Sequence, residues 1–339
     1  MLNIIKNRNL YYSISGVLTI IALIFLFVFK LNLGIDMTGG TQTEYSYSGV
    51  TINIEDVRKN VGEIEKTVLN NGKNVINSTE IFKITGENKF AIIAGFDNSL
   101  DEKNLENFKI EFKTKVFESL KKLDPNLIET QYTNIGKSFG DYIKNTAVLT
   151  LILAVLGITI YLAWAFSGVL TGWKIILSFS GIVIITLFHD VIVAAGFYVF
   201  TSNFLPDFKI DTFFITALLT ILGYSINDTI VVFDRIRSNL KVYTKKDKKE
   251  LDEIINLSIN ETLARSIYTS LMVIIVLFSI LLFGPETIKG FVLTMIYGTL
   301  IGTYSSIFIS SPMLFDFNKN EKLELYERKE VNEEDKYVV

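Results

Sequence analysis

The stretch 10–29 reads LYYSISGVLTIIALIFLFVF, without one charged side chain. As a helix rising about 1.5 Å per residue it reaches the roughly 30 Å of a bilayer's hydrocarbon core, which takes about 20 apolar residues. The same reading applies to 145–166, 174–200, 212–233, 266–284 and 289–311, so the chain is expected to cross a membrane six times. The shorter apolar runs within 81–96 do not reach that length. Apolar residues make up 49% of the 339 positions and mean hydropathy is +0.37, but the gathering into long blocks carries the argument. The first block follows Lys6 and Arg8 and is followed by Lys30-Leu31-Asn32, with no small-x-small cleavage site, so it reads as an uncleaved anchor.

Several function classes lose support from composition. The chain has no cysteine and one histidine, so a disulfide framework, a thiolate metal site or a zinc-type catalytic cluster is not expected, and no cofactor is implied. A net charge of −3 gives no argument for nucleic acid. No nucleophile, base and orienting residue occur together in a catalytic pattern, so the chain is not read as an enzyme.

Orientation follows from Arg235, Arg237, Lys241, Lys245, Lys246, Lys248 and Lys249 after the fourth block. Positive loops stay in the cytoplasm. Segment 235–262 is thus expected as a basic cytoplasmic loop, with the N-terminus and the acidic tail 316–339 on the same side. The domains read as 1–33 (N-terminus and first crossing), 34–141 (an extracytoplasmic domain), 142–315 (crossings two to six) and 316–339 (the tail). In the outer domain Thr41, Thr43, Tyr45 and Tyr47 alternate as a strand, and Ile54, Val57, Val61 and Ile64 recur at helical spacing. Residues 74–84 and 89–96 read as strands around a turn at 85–88. A capping box at 99–102 opens a helix with the apolar line Leu105, Phe108, Phe112, Val116 and Leu120, its Lys and Glu residues falling mostly off that line as a solvated face. Asp124-Pro125 ends that helix, and 127–133 closes with a strand. The order β-α-β-β-α-β is that of a ferredoxin-like α+β domain.

Charges inside a crossing are the informative residues, since each costs about 2.5–3.5 kcal/mol at a helix centre. Asp190 lies in the third crossing and Asp228 in the fourth, and both are candidates for proton coupling. Asp228 precedes Arg235 by two turns, too far for direct pairing, and Arg265 is the candidate partner if the fourth and fifth crossings are neighbours. A carboxyl taken out of water holds its proton more tightly and a nearby guanidinium loosens it, so movement of such a partner would load and release a proton. Read blandly, Asp228 and Asp190 are paired packing residues and Arg265 a snorkelling anchor. His189 projects about 100° from Asp190 and is expected to be a hydrogen-bonded packing group rather than its acid/base partner. Gly298 and Gly302 form a G-x-x-x-G pair suited to close helix packing. Gly39-Gly40, at the membrane-side entrance of the outer domain, reads as a tight turn or a hinge. Gly136-Lys137-Ser138 copies the end of a phosphate loop, but Gln131 stands where the first glycine is needed, so it reads as a turn into the second crossing.

Taken in order, Gly34-Ile35-Asp36-Met37-Thr38-Gly39-Gly40-Thr41, Phe188-His189-Asp190, GYSINDTIVVFDRIR at 223–237, ETLARS at 261–266 and GTYSSIFISSP at 302–312 resemble the SecD/SecF family, in the form of its smaller member. The resemblance implies half of a transporter of the resistance-nodulation-division type: a six-helix membrane bundle paired as a heterodimer with SecD, in the cytoplasmic (inner) membrane. It also implies association with the SecYEG translocon and its accessory subunits, contact with a translocating unfolded polypeptide, and use of the proton-motive force late in export. Asp228 and Arg265 then match the family's membrane charges for proton coupling. A small-molecule or lipid exporter of the same superfamily and a non-transporting scaffold remain open as alternatives.

Overall fold

The computed structural model describes residues 2–29, 31–48, 52–84, 88–97, 100–167, 173–205, 208–246 and 250–319. The turn expected at 85–88, the Ser99 end of the capping box, Lys248, Lys249 and most of the acidic tail therefore lie wholly or partly outside the described residues.

The chain opens with α1 (Arg8–Val28), followed by a short α2 (Ile35–Thr38) that runs straight into β1 (Gly40–Ser46). Next come α3 (Ile54–Glu65), β2 (Leu69–Asn70), β3 (Lys73–Asn74), β4 (Ile76–Ile84), β5 (Lys89–Phe96), α4 (Glu102–Lys121) and β6 (Ile128–Ile135). β4, β5, β1 and β6 form one sheet in that order, every neighbouring pair antiparallel. Alternation along β1 puts Thr41, Thr43 and Tyr45 inward, and Tyr45 joins Phe90, Ile92 and Phe96 in a core covered by Val57 and Val61 of α3 and by Leu105, Phe112, Val116 and Leu120 of α4. Burying each large side chain contributes about 1.5–3 kcal/mol, which is what fixes the two helices to one face. Asn53 starts α3 by accepting from the Glu55 N–H.

Two features of this unit differ from expectation. The strand expected over 74–84 is present as β4 from Ile76, but a small β2–β3 hairpin that the sequence reading did not include stands before it, where Asn71 (φ 50°) and Gly72 (φ 78°) turn the chain back on itself and leave Asn74 in β3. Lys109 is not solvated: it falls four residues after Leu105, on the apolar line, and is 1% exposed. Its Nζ donates to Glu106 (2.9 Å) and Asn134 (2.8 Å), and Asn134 donates to the second Glu106 oxygen (2.8 Å), so the buried charge is paired with a carboxylate and held in a closed network.

The remaining helices are α5 (Lys137–Ser167), α6 (Trp173–Phe204), α7 (Thr212–Lys246), α8 (Leu251–Phe283), α9 (Lys289–Ser305) and α10 (Ser311–Asn318), with a π-helical turn at Ser306–Ser310 joining the last two. Among the described residues six helical spans are long and apolar enough to cross a membrane. α6 and α9 sit centrally, whereas α1, α5 and α8 present large apolar side chains outward, such as Ile20, Ile152 and Ile275. α5 begins at Lys137, directly after Gly136. α1 lies against α6 at Gly196, where a Cβ would come within 2.6 Å of Ala22.

The segment expected as a basic loop, 235–262, is mostly helix: α7 continues to Lys246 and α8 starts at Leu251. Polar residues there satisfy the backbone within each helix and pair across the hairpin, Arg235 with Glu261 (2.6 Å) and Asn239 with Ser258 (3.0 Å) and Glu261 (2.7 Å). The N-terminus folds onto α8, where Asn256 accepts from the N–H groups of Ile4 and Ile5. The π turn stands directly before Pro312, whose ring would meet the Phe308 carbonyl in an unbroken α-helix and which has no N–H to give it.

Candidate functional site

The two intramembrane acids lie among three neighbouring helices, α6, α7 and α9, which a seam of small polar side chains stitches together. Asp190 of α6 is 0% exposed. Its Oδ2 accepts from Ser225 Oγ of α7 (2.5 Å) and Ser305 Oγ of α9 (2.7 Å), and its Oδ1 meets His189 Nδ1 at 2.9 Å. His189 is hydrogen-bonded, as expected, but its partner is the adjacent carboxylate that the sequence reading set aside. The 100° step separates the Cβ directions, but the imidazole curls back along the helix and Nδ1 reaches the adjacent carboxylate, while Nε2 is buried with no hydrogen-bond partner. One carboxylate thus ties three helices, as the cost of burying a charge requires.

Asp228 is placed differently. It lies on α7 one turn beyond Ser225, is 5% exposed, and its Oδ2 is buried without a hydrogen-bond partner. An unpartnered buried acceptor costs about 1–3 kcal/mol, so the position is held against a penalty. α7 and α8 are in contact, and Arg265 and Ser266 of α8 are the neighbours that act on Asp228. Arg265 itself is exposed and makes no ion pair with Asp228, so the partnership expected from sequence is one of proximity without contact. Ser266 Oγ, also buried, is the hydroxyl beside the Asp228 carboxyl, with no contact to it short enough to count as a hydrogen bond. Arg235, two turns on, is engaged with Glu261, a residue whose part in bridging α7 to α8 sequence reasoning did not find.

Around the two acids the seam continues. Thr229 and Ser306 share a hydrogen bond of 2.8 Å, Ser270 and Thr303 one of 2.5 Å, and Tyr224 donates to Ser270 at 2.8 Å. Close approach of α9 to α7 makes these bonds reachable. A Cβ on Gly298 would lie 2.2 Å from Ile221, and one on Gly302 would lie 3.0 Å from Ser225 Cβ. The signal for the seam was in the sequence as Ser225, Thr229, Ser305 and Ser306, but hydroxyls are common in membrane helices, and only the helix arrangement picks out these four.

At the other end of α7, Asp36 of α2 accepts from Thr212 Oγ1 (2.8 Å) and Thr212 N (3.4 Å). Gly34 N–H donates to the Ile210 carbonyl (2.9 Å) and Ile210 N–H to Asn32 (2.8 Å), a short parallel pairing of 32–34 with 210. Gly39 (φ 78°, ψ 156°) caps α2, and Gly40 is already the first residue of β1, paired with Ile135. A Cβ on Gly40 would lie 2.5 Å from the Ala94 carbonyl oxygen and 2.6 Å from Ile35 Cγ2. Asp211, the residue before α7, accepts from Phe214 N–H (2.8 Å); burial, with help from the Asp36 charge, pushes its carboxyl up to about 6.

Comparison with known proteins supports one family from end to end. The model described as "Protein export membrane protein SecD/SecF, C-terminal" matches residues 115–320, and that of the "SecD/SecF GG Motif" matches residues 24–49. A protein translocase subunit SecF of Thermobaculum terrenum is 34% identical over 330 residues, covering 97% of this chain and 98% of that protein. The SecF subunit of Calditerrivibrio nitroreducens is 34% identical over 316 residues, 93% of each. The crystal structure of SecDF, a translocon-associated membrane protein from Thermus thermophilus, matches with a TM-score of 0.68 at 26% identity over 93% of this chain, which spans 38% of that longer chain. On this coverage and identity the chain belongs to the SecD/SecF family of protein export membrane proteins.

Proposed function

We propose that the chain is an accessory subunit of the Sec translocase that works with a SecD-type partner and the proton-motive force to promote the later stage of export across the cytoplasmic membrane. The observation that carries this reading is Asp228, a carboxyl in mid-helix whose buried Oδ2 has no hydrogen-bond partner while Arg265 stands near it unpaired with it. A group meant only for packing would be satisfied, as Asp190 is. A group meant to take and release a proton must exist in both states, and neither can be fully compensated. One proton crossing 100 mV yields about 2.3 kcal/mol, comparable with the penalty held at Asp228 and enough to bias a two-state motion.

The rest of the reading follows from that centre. Six crossings supply one half of a paired-repeat transporter, so a second six-helix subunit completes it, as the longer SecDF chain suggests. The α+β unit at 34–141 is ferredoxin-like, on the support of its strand order and of two helices on one face, and lies on the extracytoplasmic side, opposite the basic end of α7. Both termini are then cytoplasmic. The membrane complex would act beside SecYEG on an emerging unfolded polypeptide, and the chain has no catalytic role of its own.

The deciding experiment replaces Asp228 by Asn in the complete complex, reconstituted with its SecD-type partner and the translocon in proteoliposomes. Export stimulated by an imposed proton gradient is expected to disappear while co-purification of the subunits is retained. Full gradient-driven export by the Asp228→Asn complex would refute the coupling role.

A further inference from the structure

The lead-in to α7, residues 208–212, is held by the α+β unit from two sides. On one side the strap 31–38 is bonded along it: Asn32 Nδ2 donates to the Phe208 carbonyl (3.2 Å), Ile210 N–H to the Asn32 carbonyl (2.8 Å), Gly34 N–H to the Ile210 carbonyl (2.9 Å), and Thr212 through its hydroxyl and N–H to Asp36. On the other side Lys209 forms an ion pair with Glu80 of β4; its carbonyl, accepting from the Tyr198 hydroxyl of α6 (2.6 Å), ties the same lead-in to the bundle. The two glycines following the strap are not free to act as a hinge. Gly39 N–H is bonded to Ile35 (2.8 Å), and Gly40 is in the sheet with no room for a Cβ on the side of Ala94 and Ile35. A hinge needs residues whose φ and ψ can change without breaking such contacts. Beyond Thr212, α7 is one unbroken helix to Lys246, and Asp228 stands 16 residues, about 24 Å, along it.

From this we infer that the strap 31–38 and the lead-in 208–212 form a permanent splice, clasped by Asp36 on Thr212, through which the α+β unit moves with α7 as one body. Displacement of α7 at Asp228 then reaches the sheet directly. The inference rests on Asp228 as the coupling site only for the source of the motion; the splice itself rests on the bonds above.

The chain has no native cysteine, so the only thiols it brings to the test are the two introduced ones. An ideal Cβ on Gly34 lies 3.1 Å from Asp211 Cβ, close to the roughly 3.5–4.5 Å of a disulfide, and Gly34 has an extended backbone (φ −72°) that cysteine adopts. The pair Gly34→Cys with Asp211→Cys is placed in the full complex and export is measured reduced and oxidised. Oxidation is expected to close the bond and leave the export rate of the reduced pair unchanged. A rate that collapses on oxidation and returns with reductant shows that the strap must part from α7, and overturns the inference. The clasp is tested by adding Asp36→Ala to the reduced pair. Export is expected to fall about tenfold, equivalent to about 1.4 kcal/mol, and to recover when the disulfide takes over the clasp. A loss that oxidation does not repair, with subunits still co-purifying, overturns the assignment to Asp36. Failure of the proton reading is separate: export insensitive to Asp228→Asn, in a complex whose oxidised pair behaves as expected, removes the coupling role and leaves the splice standing.

Discussion

Replacing Gly298 by Ala adds one methyl at the tightest point between α7 and α9, and the structure gives the size of the effect. The new Cβ would sit 2.2 Å from both Cδ1 and Cγ1 of Ile221 and 2.7 Å from its Cγ2. Non-bonded carbons settle at about 3.5–4.0 Å, so the methyl is too close to every branch of that side chain. Ile221 is 0% exposed and β-branched within a helix, which leaves it essentially one χ1 rotamer and nowhere to turn. The helices must therefore separate, an overpacking cost near the upper end of about 1–3 kcal/mol, offset by roughly 1 kcal/mol of helix propensity on going from Gly to Ala. A net loss of about 2 kcal/mol is expected. Reversible unfolding in mixed detergent micelles, followed by far-ultraviolet circular dichroism, measures it. Ile221→Ala alone opens a cavity and costs about 2–5 kcal/mol. In the double variant the methyl added by Gly298→Ala part-fills that cavity, so the two effects should fall short of their sum by about 2 kcal/mol. Stability within about 0.5 kcal/mol of the parent, or strict additivity with Ile221→Ala, would refute the close-packing argument.

Two further outcomes follow from groups outside the bundle. Asp211 is held up to about 6 by burial and by the Asp36 charge, so between about 4 and 6 the folded chain binds its proton while the unfolded chain has lost it. The contribution of Asp211 to stability is therefore greatest below about pH 4 and declines as pH rises through about 6; Asp211→Asn, which still caps α7, should flatten that decline in pH-dependent unfolding, and an unchanged profile counts against it. Gly72→Ala meets no atom within 4 Å, so its cost comes from the backbone alone (φ 78°): about 1 kcal/mol, seen as faster amide exchange in β2 and β3 of the full-length protein. Unaltered exchange there would show that the turn tolerates a side chain.

Much of the architecture was legible because membrane helices obey a length rule that needs no tertiary information. The spans expected at 10–29, 145–166, 174–200 and 212–233 coincide with α1, α5, α6 and α7 to within their charged ends. Those ends were misread for the same reason: hydropathy detects where lipid is, not where helix stops, and α8 begins at Leu251, well before the apolar block that opens at Ser266. The clue was present in Asp252 and Glu253 at the first turn, followed by the buried Ile254, Ile255 and Ile259 at helical spacing. The hairpin at Asn71-Gly72 carried its own signal, a dipeptide suited to positive φ, but flanking strands of two residues each have no periodicity to detect. Within the candidate site, the energetic cost of intramembrane charge singled out Asp190 and Asp228 as positions needing an explanation. What separates a satisfied acid from an unsatisfied one is the placement of Ser225 and Ser305, on different helices far apart in sequence, and no local pattern encodes that. The His189 contact failed on a smaller scale, since side-chain reach exceeds what a helical wheel conveys.

The π turn at Ser306–Ser310 acts on the sixth crossing as a phase shift. A wide turn accommodates about one extra residue, and one residue is worth about 100° of rotation, so everything beyond it is dialled round relative to what precedes it. Before the shift, α9 packs on α6, α7 and α8, with Gly298 and Gly302 facing α7; after it, α10 keeps to α6 and α8, and Asn318 bonds to Ser178 of α6. A single crossing thereby turns small residues to α7 in its first half and, in its second, turns Leu314 and Asn318 into the bundle away from that helix. The length of that turn, rather than the identity of any residue in it, sets which way each half of the crossing points.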